Sequence, residues 1–482
     1  MAVRGTADLP PDKRHDRISL GVRFVMDQKV VDRGLVKIGF IEDLSGDLSI
    51  YGISKWHAAQ LAVKEINAGF KLAGGHMGSP GLGILGQYAS RPPLLKTRGA
   101  ELLFMDRGGE KNNVKLLFAE GDKILVRSGE KGILGRDVQL FALDGRSDIE
   151  VWKQMADRLI CREKVDALVA GFTSASREAI RPIVDENRQL YFYANQYEGG
   201  VADKNAFFTG AVCEQQVIPV VDYMVKAYGS RIYIIAADYN FGRLTAAWTR
   251  ATALLAGAEI IGEEFIPLGV SSFGEVVNRI RQARPDWVMT LLVGAAQQNY
   301  YTQAADAGLR FPMASTVNMA QGYEHVKFRP PALAGLHNAV NYMMEIATIR
   351  NRAFVKRWFN LFPEDPYIGQ EAQNTYFTIH LYANAVRLAG TTQQAEVIQA
   401  LESGLHIEAP EGTVFMDPAS HHAAHYIRLA RADDQHNIAF VQEWPMINAW
   451  WLSRLGVNLV RYPEFKQYVP SDDLCFTRFK KR

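Results

Sequence analysis

The sequence predicts an α/β protein of two doubly wound parallel-sheet lobes, joined by a multi-strand hinge and carrying an inserted antiparallel meander. Three observations carry that prediction. From residue 35 onward, strand-like apolar runs alternate with amphipathic helical patterns. The alternation comes as two successive series. The strands are apolar at consecutive positions, as strands covered by helices on both faces are.

In the first series, LVKIGFIEDL (35–44) reads as a strand and SKWHAAQLAVKEINAG (54–69) as a helix stopping at Gly69. DVQLFALDG (137–145), DIEVWKQMADRLI (148–160) and VDALVAGF (165–172) continue as strand, helix and strand, leading into FTSASREAIRPIVDEN (172–187) and then LYFYANQY (190–197). The second series is RIYIIAAD (231–238), a helix over 241–257, EIIGEEFIPL (259–268), a helix over 272–283, and DWVMTLLV (286–293). Residues 70–133 interrupt the first lobe. They open with glycine-rich GGHMGSPGLGILG (74–86) and continue as AELLFMDR (100–107), VKLLFAEG (114–121) and KILVRS (123–128), the pattern of a small meander. Such an insertion serves either packing and assembly, or as a lid or partner-binding element.

Ligands of open α/β sheets collect beyond the carboxyl ends of the strands. Each distinctive polar turn here follows a strand: SGD (45–47), GFTSAS (171–176), NQYEGG (195–200), DYNFGR (238–243) and VGAAQQ (293–298). They are expected to converge on one cleft. The turn at 172–176 offers Phe172, Thr173, Ser174 and Ser176, hydroxyls and helix-start amides suited to a carbonyl or carboxylate oxygen. It brings no base, acid or metal ligand, so it reads as a binding site. Phe172, Tyr193, Tyr197, Tyr239 and Phe241 either belong to the core or stack on a small planar ligand from the strand ends. Tyr191 and Phe192 are assigned to the core.

Composition removes several classes. At 482 residues and 48% hydrophobic, the chain is long enough for two or three lobes. A formal charge of +2 favours neither nucleic acid nor an anionic membrane, so no direct nucleic-acid partner is expected. Three scattered cysteines, Cys161, Cys213 and Cys475, support neither a disulfide framework nor a thiolate metal site. No apolar run approaches membrane-spanning length. The first 34 residues are charged throughout without an apolar h-region, so a cytoplasmic protein is expected; a misassigned start would hide an export signal and make it periplasmic.

Enzymatic readings fare poorly. The glycine-rich stretch lacks the Gly-Lys-Ser/Thr of a phosphate loop, and no dinucleotide fingerprint appears. Ser174 lacks the flanking glycines of a nucleophile elbow, with Phe172 and Ser176 in their places. HHAAH (421–425) spaces His421 and His425 as a zinc helix would, but His422 stands where the catalytic Glu belongs. No catalytic residue, metal or cofactor is expected.

These turns carry a resemblance. GFTSASREAIRPIV (171–184), FYANQYEGG (192–200), FFTGAVCEQQVIPVVDY (207–223), ADYNFGR (237–243), EEFIPLGVSSF (263–273) and EAPEGTVFMDPASHH (408–422) resemble the type I periplasmic-binding-protein fold of the branched-chain amino acid, urea and short-chain amide solute-binding family. Within it the chain looks closest to the branch of urea-binding ABC receptors and the amide sensor that regulates an amidase. The resemblance implies a non-enzymatic, hinge-closing protein that binds a short-chain amide, urea-like compound or related polar metabolite between its lobes. It implies a ligand sensor working through a transcriptional regulator or antiterminator; the alternatives are an exported receptor serving an ABC permease and, less well supported, an amidohydrolase. A homo-oligomer stays open. Ser174 would give its hydroxyl and amide to the ligand carbonyl, Phe172 and Tyr193 would form aromatic walls, Asn195 would contact the amide, and Tyr239 and Phe241 would close from the second lobe. Thr173, Tyr197 and Asn318 complete the expected set, Asn318 and Gln321 standing in VNMAQG (317–322) where relatives of this branch carry acidic residues.

The division expected is an N-terminal extension (1–34), lobe 1 (35–213) with the insertion 70–133, lobe 2 (214–343), a return to lobe 1 (344–390), a part associated mainly with lobe 2 (391–460) and a tail (461–482). The hinge is placed near 213–216 and 340–350, with a further return at about 390.

Overall fold

The computed structural model describes residues 34–46, 48–76, 124–319 and 321–467. In chain order the first lobe contains β1 (Val36–Glu42), three short strands flanking the insertion, β2 (Phe70–Leu72), β3 (Gly74–His76) and β4 (Leu125–Arg127), and then β5 (Val138–Asp144), β6 (Ala167–Ala170), β7 (Tyr191–Tyr193) and β8 (Ala206–Phe208). Five of these form a parallel sheet in the order β5-β1-β6-β7-β8. The second lobe supplies β9 (Arg231–Ala237), β10 (Glu259–Ile266), β11 (Trp287–Leu291), β12 (Met313–Ser315) and β13 (Leu336–Val340), parallel in the order β10-β9-β11-β12-β13. The two orders are the same. Each sheet therefore reverses direction at one point, between β1 and β6 and between β9 and β11, and opens a crevice at the carboxyl ends there.

The continuous apolar runs are explained by burial on both faces: β6 and β11 are buried at every residue. Helix Ser49–Asn67 turns Trp56, Ala59, Leu61 and Ile66 into the first core, beside Tyr376, Phe377 and Ile379 of the almost wholly buried helix Gln370–Ala389. Helices Cys213–Tyr228 and Asn240–Leu255 cover one face of the second sheet, through Val217, Val221, Ala246 and Trp248. Among the described residues no helix is long and apolar enough to cross a membrane.

The C-terminal strands β14 (Leu405–Ala409), β15 (Gly412–Met416), β16 (Ala423–Ala432) and β17 (Ile438–Ile447) extend the second sheet antiparallel, in the path β13-β16-β15-β14-β3 with β17 on β16. The chain passes between lobes three times. It leaves the first sheet after β8 for helix Cys213–Tyr228, returns after β13 to helix Ile349–Leu361, and leaves again between β15 and β16. This third passage, at 416–423, falls later than the return expected at about 390. The reason is packing: Val397 and Leu401 of helix Gln394–Leu401, with Leu405, Ile407 and Val414, fill the first lobe's core, whereas Ile427 and Leu429 of β16, Ala430 and Ala432 further along it, and Trp451 after β17 pack into the second lobe.

The ends of the insertion are integral to the first lobe. β2 pairs antiparallel with β4, β3 pairs with β14, and Leu72, Ile124 and Ile133 are core residues. The meander strands expected at 100–107 and 114–121 lie outside the described residues. The usable boundary for excision is therefore 77–123. Replacing that segment with a short flexible linker should leave the melting temperature within a few degrees, because loop closure depends weakly on length. Removing 72–131 instead deletes buried Leu72 and Ile124, at about 2–5 kcal/mol for each large apolar side chain lost. Thermal melts of the two deletions should separate clearly; equal loss in both would place essential packing inside 77–123.

Candidate functional site

The turn after β6 depends on two close approaches. Gly171 has φ +103°, and a Cβ there would lie 2.8 Å from the Tyr193 ring. Gly210 lets the chain after β8 pass against the Asn195 backbone, where a Cβ would fall 2.1 Å from the carbonyl. Helix Ser174–Glu186 starts immediately beyond. Its cap is Thr173, whose Oγ1 accepts from the Ser176 amide at 3.0 Å, while Ser176 Oγ accepts from the Thr173 amide at 3.1 Å. Ser174 is thus released from capping. Its hydroxyl donates to Glu198 Oε2 at 2.5 Å.

Behind this turn lies a buried ionic layer. Arg177 donates to Glu198 Oε1 at 2.8 Å and to Glu178 at 3.0 Å, and its guanidinium lies over the rings of Tyr197 and Tyr193, at 4.5 and 5.1 Å. Tyr193 donates its hydroxyl to the Phe172 carbonyl at 2.7 Å. Asn195 donates to the same carbonyl at 2.8 Å and accepts from Lys55 Nζ at 2.6 Å; Lys55 also bonds to Glu42 and to the Gly171 carbonyl. Tyr197 donates to His422 Nε2 at 2.5 Å, and the other ring nitrogen of His422 donates to the Ser420 carbonyl at 2.7 Å. Burial lowers the His422 pKa to about 3, so the ring is neutral and fixed as an acceptor.

A cavity of about 10 Å³ lies where the strand ends of the two lobes meet, room for about one water. Its walls are Phe172, Thr173, Ser174, Tyr193 and Gln196 from the first lobe and Tyr239, Phe241, Val293, Val317 and Gln321 from the second. The structure therefore brings six of the nine expected residues together at one point: Phe172, Thr173, Ser174, Tyr193, Tyr239 and Phe241. The other three stand elsewhere. Asn195 holds the turn through Lys55, and Tyr197 lies beneath Arg177. Asn318 is spent on its own lobe, accepting from Tyr301 at 2.7 Å and Ser315 at 3.0 Å and donating to the Leu292 carbonyl at 3.1 Å. Of the polar pair in VNMAQG it is Gln321 that reaches the cavity. Ser45 of the SGD turn also stays out, tied to Asp144, and Asp47 lies outside the described residues.

The sequence singles out Gln321 only beside Asn318, and it singles out neither Gln196, Val293 and Val317 nor Tyr51. From the first turn of helix Ser49–Asn67 its ring stacks on Phe172 at 4.4 Å and 11°, and its hydroxyl accepts from Gln297 of the second lobe at 2.8 Å. It is a direct tie between the lobes. Gln196 Oε1 accepts from Gln216 at 3.0 Å and Gln370 at 2.7 Å, leaving its Nε2 a buried donor with no acceptor among the described residues. The histidines of HHAAH diverge: His421 bonds Glu402 at 2.8 Å, His422 bonds Tyr197, and His425 bonds Glu411 at 2.7 Å. The segment enters β16 instead of forming a helix, so the zinc spacing is never realised. Among the described residues no group of three or more His, Cys, Asp or Glu is placed to hold a metal.

Two doubly wound lobes thus meet over a cavity at their strand ends. The sequence profile of the periplasmic binding protein family matches residues 35–437, and the chain belongs to that family. It is 21% identical over 293 residues to Leu/Ile/Val-binding protein homolog 6 of Brucella melitensis, covering 58% of this chain and 74% of the relative. Solved structures with the same fold include a solute binding protein of an ABC transporter from Rhodopseudomonas palustris in complex with 3,4-dihydroxybenzoic acid (TM-score 0.65, 17% identity, 86% of this chain and 98% of the other). A leucine binding protein from Thermotoga maritima is similar at TM-score 0.65 and 16% identity, over 85% of this chain and 98% of the other.

One charged group close behind the cavity has a pH signature. Burial raises the Glu371 carboxyl from 4.5 to about 7, against the pull of Lys55 and of hydrogen bonds from the Gln196 amide, Gln370 and Gln321. A raised folded-state value means that the stabilising protonated form is complete below about pH 4.5 and is lost as pH rises through about 7. Glu371→Gln should therefore gain stability relative to the parent between about pH 5 and 8, by up to roughly 3 kcal/mol. Denaturant unfolding of both proteins across that range measures it; a constant difference would mean that Glu371 keeps an ordinary carboxyl pKa.

Proposed function

We propose that this chain is a non-enzymatic receptor for a small neutral polar compound, a short-chain amide or urea-like molecule, held in the cavity between its lobes. One observation carries the reading. Every side chain lining the cavity is uncharged, and one of them, Gln196, carries a buried donor with no acceptor among the described residues. An unpaired buried donor costs about 1–3 kcal/mol, which a ligand carbonyl relieves. The apolar walls Phe172, Phe241, Val293 and Val317 suit a small planar body, and Gln321 offers amide donors and an acceptor opposite. With room for about one water, the lobes must part to admit an organic ligand. Closure around it would then select the state that a partner reads.

In this proposal the partner is a transcriptional regulator or antiterminator, and the protein is a ligand sensor. A second reading, the receptor of an ABC importer, is favoured by the Rhodopseudomonas palustris neighbour, which is a solute binding protein of an ABC transporter. Cell fractionation separates them: the sensor is expected in the cytoplasm and the receptor beyond the membrane.

A thermal-shift screen over amides, ureas, nitriles, amino acids and benzoates should give its largest shifts with amides and ureas. With the best binder of that panel, Ser174→Ala should weaken affinity by about 5- to 150-fold, the equivalent of one hydrogen bond in a dry cleft. The melting temperature should fall only modestly: Thr173 and not Ser174 caps the helix, but the alanine leaves buried Glu198 Oε2 without its hydroxyl donor, at about 1–3 kcal/mol. Calorimetry showing unchanged affinity for Ser174→Ala would remove Ser174 from the site.

A further inference from the structure

Glu198 lines no part of the cavity, yet it controls the group that does. Its side chain is fully buried, Oε1 accepts from Arg177 at 2.8 Å and Oε2 accepts from the Ser174 hydroxyl at 2.5 Å. A serine hydroxyl has one proton to give and two lone pairs. That proton is taken. Ser174 Oγ can therefore meet a ligand only as an acceptor, reversing the carbonyl-binding role that the resemblance implied. The neighbouring wall supplies the opposite character, the unpaired Gln196 Nε2 donor.

We infer that Glu198 is the specificity-determining residue of the cleft: by fixing Ser174 as an acceptor, it selects ligands carrying N–H beside C=O and rejects the matching carboxylates. The inference deepens the amide reading and rests on it. A primary amide satisfies both walls, its N–H on Ser174 Oγ and its carbonyl on Gln196 Nε2. A carboxylate has no N–H to offer. It would face the lone pairs of Ser174 with a buried carboxylate directly behind them, a like-charge contact in a dry site. The other charges near this point do not rescue it. Arg177 is covered by Tyr193 and Tyr197 and paired with Glu198 and Glu178 through two of its nitrogens; the third is buried without a partner among the described residues, but Arg177 does not line the cavity. Lys55 is bonded to Glu42, Asn195 and the Gly171 carbonyl.

The test is Glu198→Gln with matched ligand pairs, acetamide with acetate and benzamide with benzoate, measured by calorimetry. Glutamine can still accept from Arg177 while its amide donates to Ser174 Oγ, which frees the Ser174 proton for the cavity and leaves the arginine charge less compensated. The parent should prefer each amide over its carboxylate by at least about tenfold. In Glu198→Gln the preference should move toward the carboxylate by at least about tenfold. In the double variant Glu198→Gln/Arg177→Met the part of that gain due to the arginine charge should disappear and the part due to the freed Ser174 proton should remain, which separates the two effects; a gain lost entirely would show that Glu198 does not act through Ser174. A parent that binds the carboxylate as tightly as the amide overturns the inference even if no variant folds. So does a folded Glu198→Gln with an unchanged ratio, or one that binds nothing in the set. A parent that binds neither member of a pair, with a variant that gains the carboxylate, would refute the amide reading while upholding the role of Glu198.

Discussion

The first half of the cleft depends on one buried cation. Lys55, carried inward by the helix after β1, ends among three acceptors: the Glu42 carboxylate at the end of β1, the Gly171 carbonyl after β6 and the Asn195 side chain after β7. One ammonium thereby fixes three strand ends on both sides of the point where the sheet reverses direction. Asn195 in turn holds the Phe172 carbonyl, which also takes the Tyr193 hydroxyl, so the aromatic wall and the helix start inherit their positions from Lys55. Burying such a charge is unfavourable unless every partner is in place, and removing one partner of a buried pair typically costs about 3–5 kcal/mol. The arrangement is stiff for that reason.

Charge and ligand contact are separated by depth. Lys55, Glu42, Arg177, Glu198 and Glu371 all lie behind the cavity, and its lining carries none of them. The front layer consists of aromatic rings, valines, hydroxyls and two glutamines. Each ionic group acts through a neutral one: Lys55 through Asn195, Glu198 through Ser174, and Glu371 through Gln196. The cavity's polar walls therefore have hydrogen-bond directions that are already decided, so contact with them costs little in ordering.

Much of this was legible from the chain alone. Period and run length exposed both lobes, because parallel strands buried on two faces leave continuous apolar runs that no half-exposed strand produces. The turns GFTSAS and DYNFGR announced themselves by position, each directly after a strand. What escaped has a common cause. Lys55 lies 116 and 140 residues from two of its partners, so in the helical pattern it looks like any solvated lysine. Asn195 and Tyr197 occupy a strand-end turn yet face the interior, and whether such a side chain points toward ligand or toward a buried cation depends on residues far along the chain. Asn318 and Gln321 are three positions apart, with Met319 at φ 95° directly after Asn318, yet one side chain is spent within its own lobe and the other reaches the cavity. The aromatic Tyr51, close behind SGD and the first strand, was the one overlooked signal that position could have revealed.

Three passages of chain join the lobes, after β8, after β13 and between β15 and β16. A single linker would leave the lobes free to swing and twist in every direction, like two weights on a cord. Three separate attachments remove almost all of that freedom and leave something closer to a door on its frame. Lobes that parted under this constraint would return with Tyr51 toward Gln297 and with Ser174 and Tyr239 on the same cavity, and little energy would be consumed in orienting two loose bodies.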